Sequence, residues 1–95
     1  SFASQHTNRI PLLIADASVY TDAVKIVKES SEKGLPIFLY PLTSKLVKQL
    51  ARTEKEGYKK VLILGEDEVA NGTVNFKDFE TGEQKTLKLD ELDAI

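Results

Sequence analysis

The run VLILGEDEVANGTVNFKD, residues 61–78, decides how the rest of the chain is read. Val61 to Leu64 are apolar at every position, the mark of a strand covered on both faces, as in a parallel sheet. Gly65 interrupts, and Glu66, Asp67 and Glu68 follow directly. Three carboxylates at the end of a buried strand can bind a metal, act as acids and bases, or decorate a turn. They can also accept hydrogen bonds from a ligand rich in N–H donors. Acidic residues are common in the polar loops that end strands. Against that stands a rule of open α/β sheets: ligands sit beyond the carboxyl ends of the strands, where Gly65 to Glu68 fall.

Outward from this stretch, the preceding chain alternates strands with helices. Ile10 to Ala15 (IPLLIA) and Pro36 to Tyr40 (PIFLY) are short apolar runs that read as buried strands. Between them, after a loop over Asp16 to Ser18, Thr21 or Asp22 can cap a helix with Ala23, Val24, Ile26 and Val27 on one stripe. Gly34 ends it. Thr43 or Ser44 can cap a second helix that runs to about Glu56. At 100° per residue, Leu42, Leu46, Val47, Leu50, Ala51 and Tyr58 share one side of it, and Lys45, Lys48, Arg52, Lys55 and Lys59 cluster opposite. Strand, helix, strand, helix, strand predicts a doubly wound α/β core with right-handed crossovers.

After Gly72 the pattern changes. Val74 and Phe76 alternate with Asn75 and Lys77, Thr81-Gly82 marks a tight turn, and Lys85 to Leu89 alternates again with Leu87 and Leu89 inward. That predicts a hairpin. DELDAI, residues 90–95, reads as the start of a helix that Asp90 can cap.

The composition narrows the function. The chain has 95 residues, 41% of them apolar and 29% charged, which suits one soluble domain. No apolar run approaches the ~20 residues of a membrane span. Cysteine is absent, which removes disulfides, thiolate metal sites and cysteine nucleophiles, and fits a cytoplasmic setting. Methionine is absent even at position 1, and Ser1 to Asn8 is polar. The chain therefore reads as a piece of a longer protein, with residues 1–8 a linker and residues 9–95 the domain. His6, the one histidine, lies in that linker. Carboxylates alone do not suit zinc, no glycine loop for phosphate appears, and no catalytic constellation is present. The net charge of −2 divides into +4 over residues 1–60 (ten Lys/Arg, six Asp/Glu) and −6 over residues 61–95 (three against nine). A bulk attraction for nucleic acid would need a basic domain, so any such binding must be local.

Residues 47–92 resemble the C-terminal anticodon-binding domain of histidyl-tRNA synthetases. The resemblance is carried above all by LGEDEVANGTVNFKDFETGEQ, residues 64–84, a strand ending in Gly-Glu-x-Glu, an Asn-Gly-Thr-Val turn, a Lys-Asp strand and a Thr-Gly-Glu-Gln hairpin. Lys48-Gln49-Leu50-Ala51-Arg52 and Gly57 also match, whereas residues 10–46 match in architecture more than in letters. Two departures stand out: the PLTSK turn, residues 41–45, and Thr53 where the family usually has a small residue.

The resemblance implies a three-layer α/β fold with a mixed five-stranded sheet, a parallel core, a C-terminal hairpin and three helices. It implies binding to the tRNA anticodon loop, GUG for histidine. Guanine offers N–H donors on its Watson–Crick edge, and a carboxylate only accepts, which gives the acidic run a purpose. Carried over residue by residue, Glu68 is the leading base reader and Lys77 the second, with Glu66, Asn71 and Asn75 behind them. Asn71-Gly72 equally suits a turn, since both residues tolerate positive φ. Lys45, Lys48, Arg52 and Lys55 would meet phosphates, unless they form only a solvated helix face. The domain itself would hold no cofactor and no catalytic residue. The parent would be an ATP- and magnesium-dependent ligase, a homodimer in the cytoplasm, with no membrane association. The rival readings are a non-catalytic paralogue serving as an interaction module and a magnesium site at Glu66–Glu68.

Overall fold

The computed structural model describes residues 8–95. The linker expected at Ser1 to Asn8, with His6, therefore lies outside the described residues except for Asn8. Three apolar segments become parallel strands: β1 (Ile10–Ile14), β2 (Ile37–Leu39) and β3 (Lys60–Leu64). All five residues of β1 are buried, as a central strand covered on both faces requires. Two antiparallel strands, β4 (Thr73–Asp78) and β5 (Gln84–Lys88), complete one five-stranded sheet in the order β2-β1-β3-β4-β5.

Three α-helices accompany the sheet: α1 (Tyr20–Glu32), α2 (Leu46–Lys55) and α3 (Glu66–Asn71). One face of the sheet packs Leu12, Ile14, Leu62, Leu64, Val74, Phe76 and Leu87 against Ala23 and Ile26 of α1 and against Leu92. The other face packs Leu13 and Val61 with Tyr40, Tyr58 and Phe38 beneath Leu46 and Leu50 of α2. The mixed sheet with a parallel core and helices on both sides is the expected three-layer architecture.

Several local expectations need correction. Asp16 to Ser18 are not a plain loop: Ala17–Val19 form a 3-10 turn capped by Asp16, and α1 begins at Tyr20 without a cap from Thr21 or Asp22. Val24 lies largely outside the core, at 41% exposure. The second helix is capped by neither Thr43 nor Ser44 but starts after Lys45. It is also rotated about its axis from the expected orientation. Gln49 and Thr53 are fully buried, while Val47 is 77% exposed and Leu42 and Ala51 are also exposed. The reason is hydrogen bonding. The Gln49 side-chain amide donates to the Ile14 carbonyl (3.2 Å) and the Ser44 carbonyl (2.9 Å), bolting α2 to the end of β1. Thr53 satisfies its hydroxyl on the Leu50 carbonyl at 2.9 Å. A polar side chain with its donors satisfied can occupy a core position that a hydrophobicity count assigns elsewhere.

The C-terminal segment Leu89–Ala94 is a 3-10 helix entered through Lys88 rather than Asp90, with the Glu91 carboxylate accepting from the Lys88 N–H at 2.7 Å. The largest correction is at the acidic stretch, where the expected loop is the helix α3.

Candidate functional site

The α3 helix explains why three carboxylates follow Gly65. Glu66, Asp67 and Glu68 form its first turn, where unpaired N–H groups and the positive end of the helix dipole favour negative charge. Glu68 reaches back so that Oε1 accepts from the Gly65 N–H at 2.7 Å, one half of a capping box. A Cβ at position 65 would lie 2.8 Å from that oxygen, so the contact favours glycine there. Gly72 closes the helix at φ 69°. Among the described residues only glycines have positive φ, so Asn71 is not a left-handed turn residue but the last residue of the helix.

The carboxyl ends of β1 and β3 lie side by side, and the strand order reverses between them: the chain goes from β1 outward to β2, then crosses back to β3. This is the switch point at which open sheets bind ligands. Asp16 and Ser18 follow β1 there, and Glu66 follows β3. Ser18 Oγ contacts Asp16 Oδ1 and also lies 2.9 Å from Glu66 Oε1, so one hydroxyl links the two strand ends. Donation from the Ser18 hydroxyl, and then from its backbone N–H at 2.7 Å, holds the Asp16 carboxyl below its ordinary range. Within the acidic run, Glu68 Oε1 is taken up by the backbone and Glu66 Oε1 lies beside the Ser18 hydroxyl, while Glu66 and Asp67 stay exposed. Among the described residues, no three His, Cys, Asp or Glu side chains gather where they could together hold a metal ion.

A second polar surface lies on the hairpin. The crossover helix α2 covers β1 and β3, but a hairpin connection brings no helix of its own, so the same face of β4 and β5 is open. The register sets two cross-strand rows on it: Ile63, Asn75 and Thr86, then Val61, Lys77 and Gln84. Leu50 of α2 walls one side, and with Ile63, Asn75, Lys77, Gln84 and Thr86 it lines a groove of about 440 Å³. That is within the range of small-ligand sites. Lys77 Nζ lies 5.7 Å from the centre of the Phe79 ring, a cation–π distance that steadies the ammonium along this face.

The structure therefore divides the expected site residues into three groups. Glu66, Glu68 and Asn71 sit on α3 at the strand ends. Asn75 and Lys77 share the hairpin groove. Lys45, Lys48 and Arg52 sit on the exposed side of α2. Arg52 donates from Nη1 to Thr43 Oγ1 at 2.8 Å and so closes the turn before its own helix. Among the described residues, Lys45 and Lys48 have no ion-pair partner. Lys45 adjoins the helix N-terminus, where the dipole opposes a cation, so helix stability does not account for it. Four residues that sequence reasoning missed join these groups: Asp16 and Ser18 at the switch point, and Gln84 and Thr86 in the groove. The alternation of Gln84 and Thr86 with Lys85 and Leu87 could have placed the latter pair opposite Lys77 and Asn75. The former pair needed the parallel pairing of β1 with β3.

Comparisons with known proteins agree on this architecture. Residues 7–95 match the family model described as "Anticodon binding domain". A histidine–tRNA ligase of Leptospira biflexa is 35% identical over 91 residues, covering 96% of this chain and 20% of that protein. A threonine–tRNA ligase of Campylobacter lari is 39% identical over 69 residues, covering 73% of this chain and 11% of the relative. The crystal structure of histidyl-tRNA synthetase from a Nostoc species superposes with a TM-score of 0.83 over 94% of this chain and 21% of that one. At 22% identity, this last likeness concerns the fold alone. The chain spans about a fifth of the length of the histidine–tRNA ligase it matches.

Proposed function

The chain belongs to the anticodon-binding domain family, and from that premise we propose that it binds the anticodon loop of a tRNA as the C-terminal part of a histidine–tRNA ligase, reading GUG. The observation that carries the reading is the open face of the hairpin. A sheet surface with an apolar floor, amide and ammonium side chains and, among the described residues, no covering helix suits unstacked bases, and single-stranded loops are what sequence-specific RNA readers engage. The cations on α2 supply the other half of such an interface, since phosphate contacts position an RNA while base contacts specify it. Glu68 keeps a place in this reading through its second carboxylate oxygen, Oε1 being committed to Gly65.

In the parent enzyme, a separate catalytic part would activate histidine with ATP and magnesium in a homodimer. This domain would hold the tRNA in position for it. The test is a titration of the 95-residue chain with anticodon stem-loops at fixed salt. Tighter binding of the GUG loop than of a scrambled loop is expected, and equal binding would remove the synthetase reading of this domain.

A further inference from the structure

We infer that the hairpin groove selects bases with a keto oxygen at purine C6 or pyrimidine C4 over bases with an amino group there, and that Thr86 sets this preference by fixing the orientation of Asn75. The inference rests on the reading that the chain binds an anticodon loop, and it adds which atoms of the bases are read. Thr86 lies directly across from Asn75 in the β4–β5 register, and its hydroxyl donates to Asn75 Oδ1 at 3.1 Å. The amide oxygen is therefore taken up within the sheet, and the two N–H bonds of Nδ2 are left to face the groove. Lys77, two residues along the same face, adds an ammonium, which only donates.

A surface that presents donors pairs with acceptors. Guanine O6 and uracil O4 are acceptors, whereas adenine and cytosine carry an amino donor at the corresponding positions. Donor facing donor leaves both desolvated and unpaired, so the exclusion of amino bases costs more than a missing contact. The groove thereby complements the acidic strand ends: the hairpin reads acceptor atoms, and any carboxylate oxygen left free on α3 reads donors.

Asn75 is half-buried and Thr86 is exposed, so both can be changed without opening the core. The experiment measures Kd for GUG stem-loops in which each base in turn exchanges its 6- or 4-keto oxygen for an amino group, guanine to 2,6-diaminopurine or uracil to cytosine. The original 95-residue chain is compared with Asn75→Asp and Thr86→Val, and thermal melting of each variant confirms folding. For the original chain, the exchange at one or more positions is expected to weaken binding roughly tenfold, the scale of one good base contact. Asn75→Asp keeps an acceptor for the Thr86 hydroxyl but turns an acceptor toward the groove, so at that position the penalty disappears or reverses. The added charge weakens all loops together and leaves this ratio as the readout. Thr86→Val frees the amide to turn over, and the penalty falls to a few-fold. If the penalty at every position is unchanged in Asn75→Asp, the keto assignment is wrong while anticodon binding stands. If the original chain does not distinguish the GUG loop from a scrambled one, both readings fall.

Discussion

The carboxyl edge of the parallel strands and the open face of the hairpin are both polar, but they use their polar groups differently. At the strand ends, Glu68 accepts from the backbone of Gly65 and Glu66 meets Ser18, so part of the most conspicuous acidic run in the chain is turned toward its own protein. On the hairpin, Asn75 spends its oxygen on Thr86 and leaves its donors facing an open groove. The difference teaches that a cluster of charge in a sequence is evidence about local backbone needs before it is evidence about a ligand. A helix that must start abruptly at a strand end asks for acidic residues in its first turn. A β-face left uncovered by the connection asks only for polar residues, and is then free to choose them for binding.

The comparison can be broken first at its base, by showing that the parallel part does not carry the stability. Leu62 is fully buried at the centre of the sheet, and Leu62→Ala should cost about 3 kcal/mol in chemical denaturation. Lys77→Ala, on the open face, should cost under about 0.5 kcal/mol. Similar losses for both would erase the division of labour.

A second measurement uses pH. Tyr40, at the end of β2 and 6% exposed, donates to Glu56 Oε1 at 2.7 Å, and burial followed by that carboxylate pushes its phenol up to about 12. Because the folded value lies above the unfolded one, near 10, the stabilisation is present below pH 10 and is lost as pH rises through about 12. The advantage of the original chain over Tyr40→Phe should therefore shrink by on the order of 2 kcal/mol between pH 9 and pH 12. A gap independent of pH would show that the phenol does not titrate in contact with Glu56.

Gln49 shows where the sequence could and could not be read. The parallel strands were legible because apolar runs such as VLIL have few other uses, and the hairpin was legible because Val74, Phe76 and Leu87 alternate with polar residues. The orientation of α2 was not, since a hydrophobicity stripe cannot foresee that Gln49 will find two carbonyls to satisfy or that Val47 will be left outside. The α3 helix escaped notice because six residues are too few for a periodic signal. Its acidic first turn and Gly72 were nonetheless the right start and stop marks. The groove was half legible: Asn75 and Lys77 came from one strand, while their partners required the register. Gln49→Leu should cost roughly 2 kcal/mol, since it leaves the Ile14 and Ser44 carbonyls without that donor. A neutral result would mean that the bolt adds nothing beyond apolar packing.

Glu68→Ala sharpens the contrast directly. If the carboxylate serves chiefly as a cap, the variant should lose about 1 kcal/mol of stability in denaturation. Unchanged stability with a large loss of loop binding would move Glu68 to the reading side of the interface.

The smallest effect on folding is expected from Lys48, which is exposed on α2 and, among the described residues, has no ion-pair partner. Lys48→Ala should change stability by under about 0.5 kcal/mol, because a solvated lysine on a helix surface contributes little. If it meets phosphate, the variant should bind every loop more weakly and lower the slope of log K against log salt by roughly 1, without altering preference among bases. An unchanged slope would return Lys48 to the solvated helix face. The groove would then have to bind RNA without this cation, and Lys45, which helix stability does not explain, would become the next position at which to look for the phosphate contact.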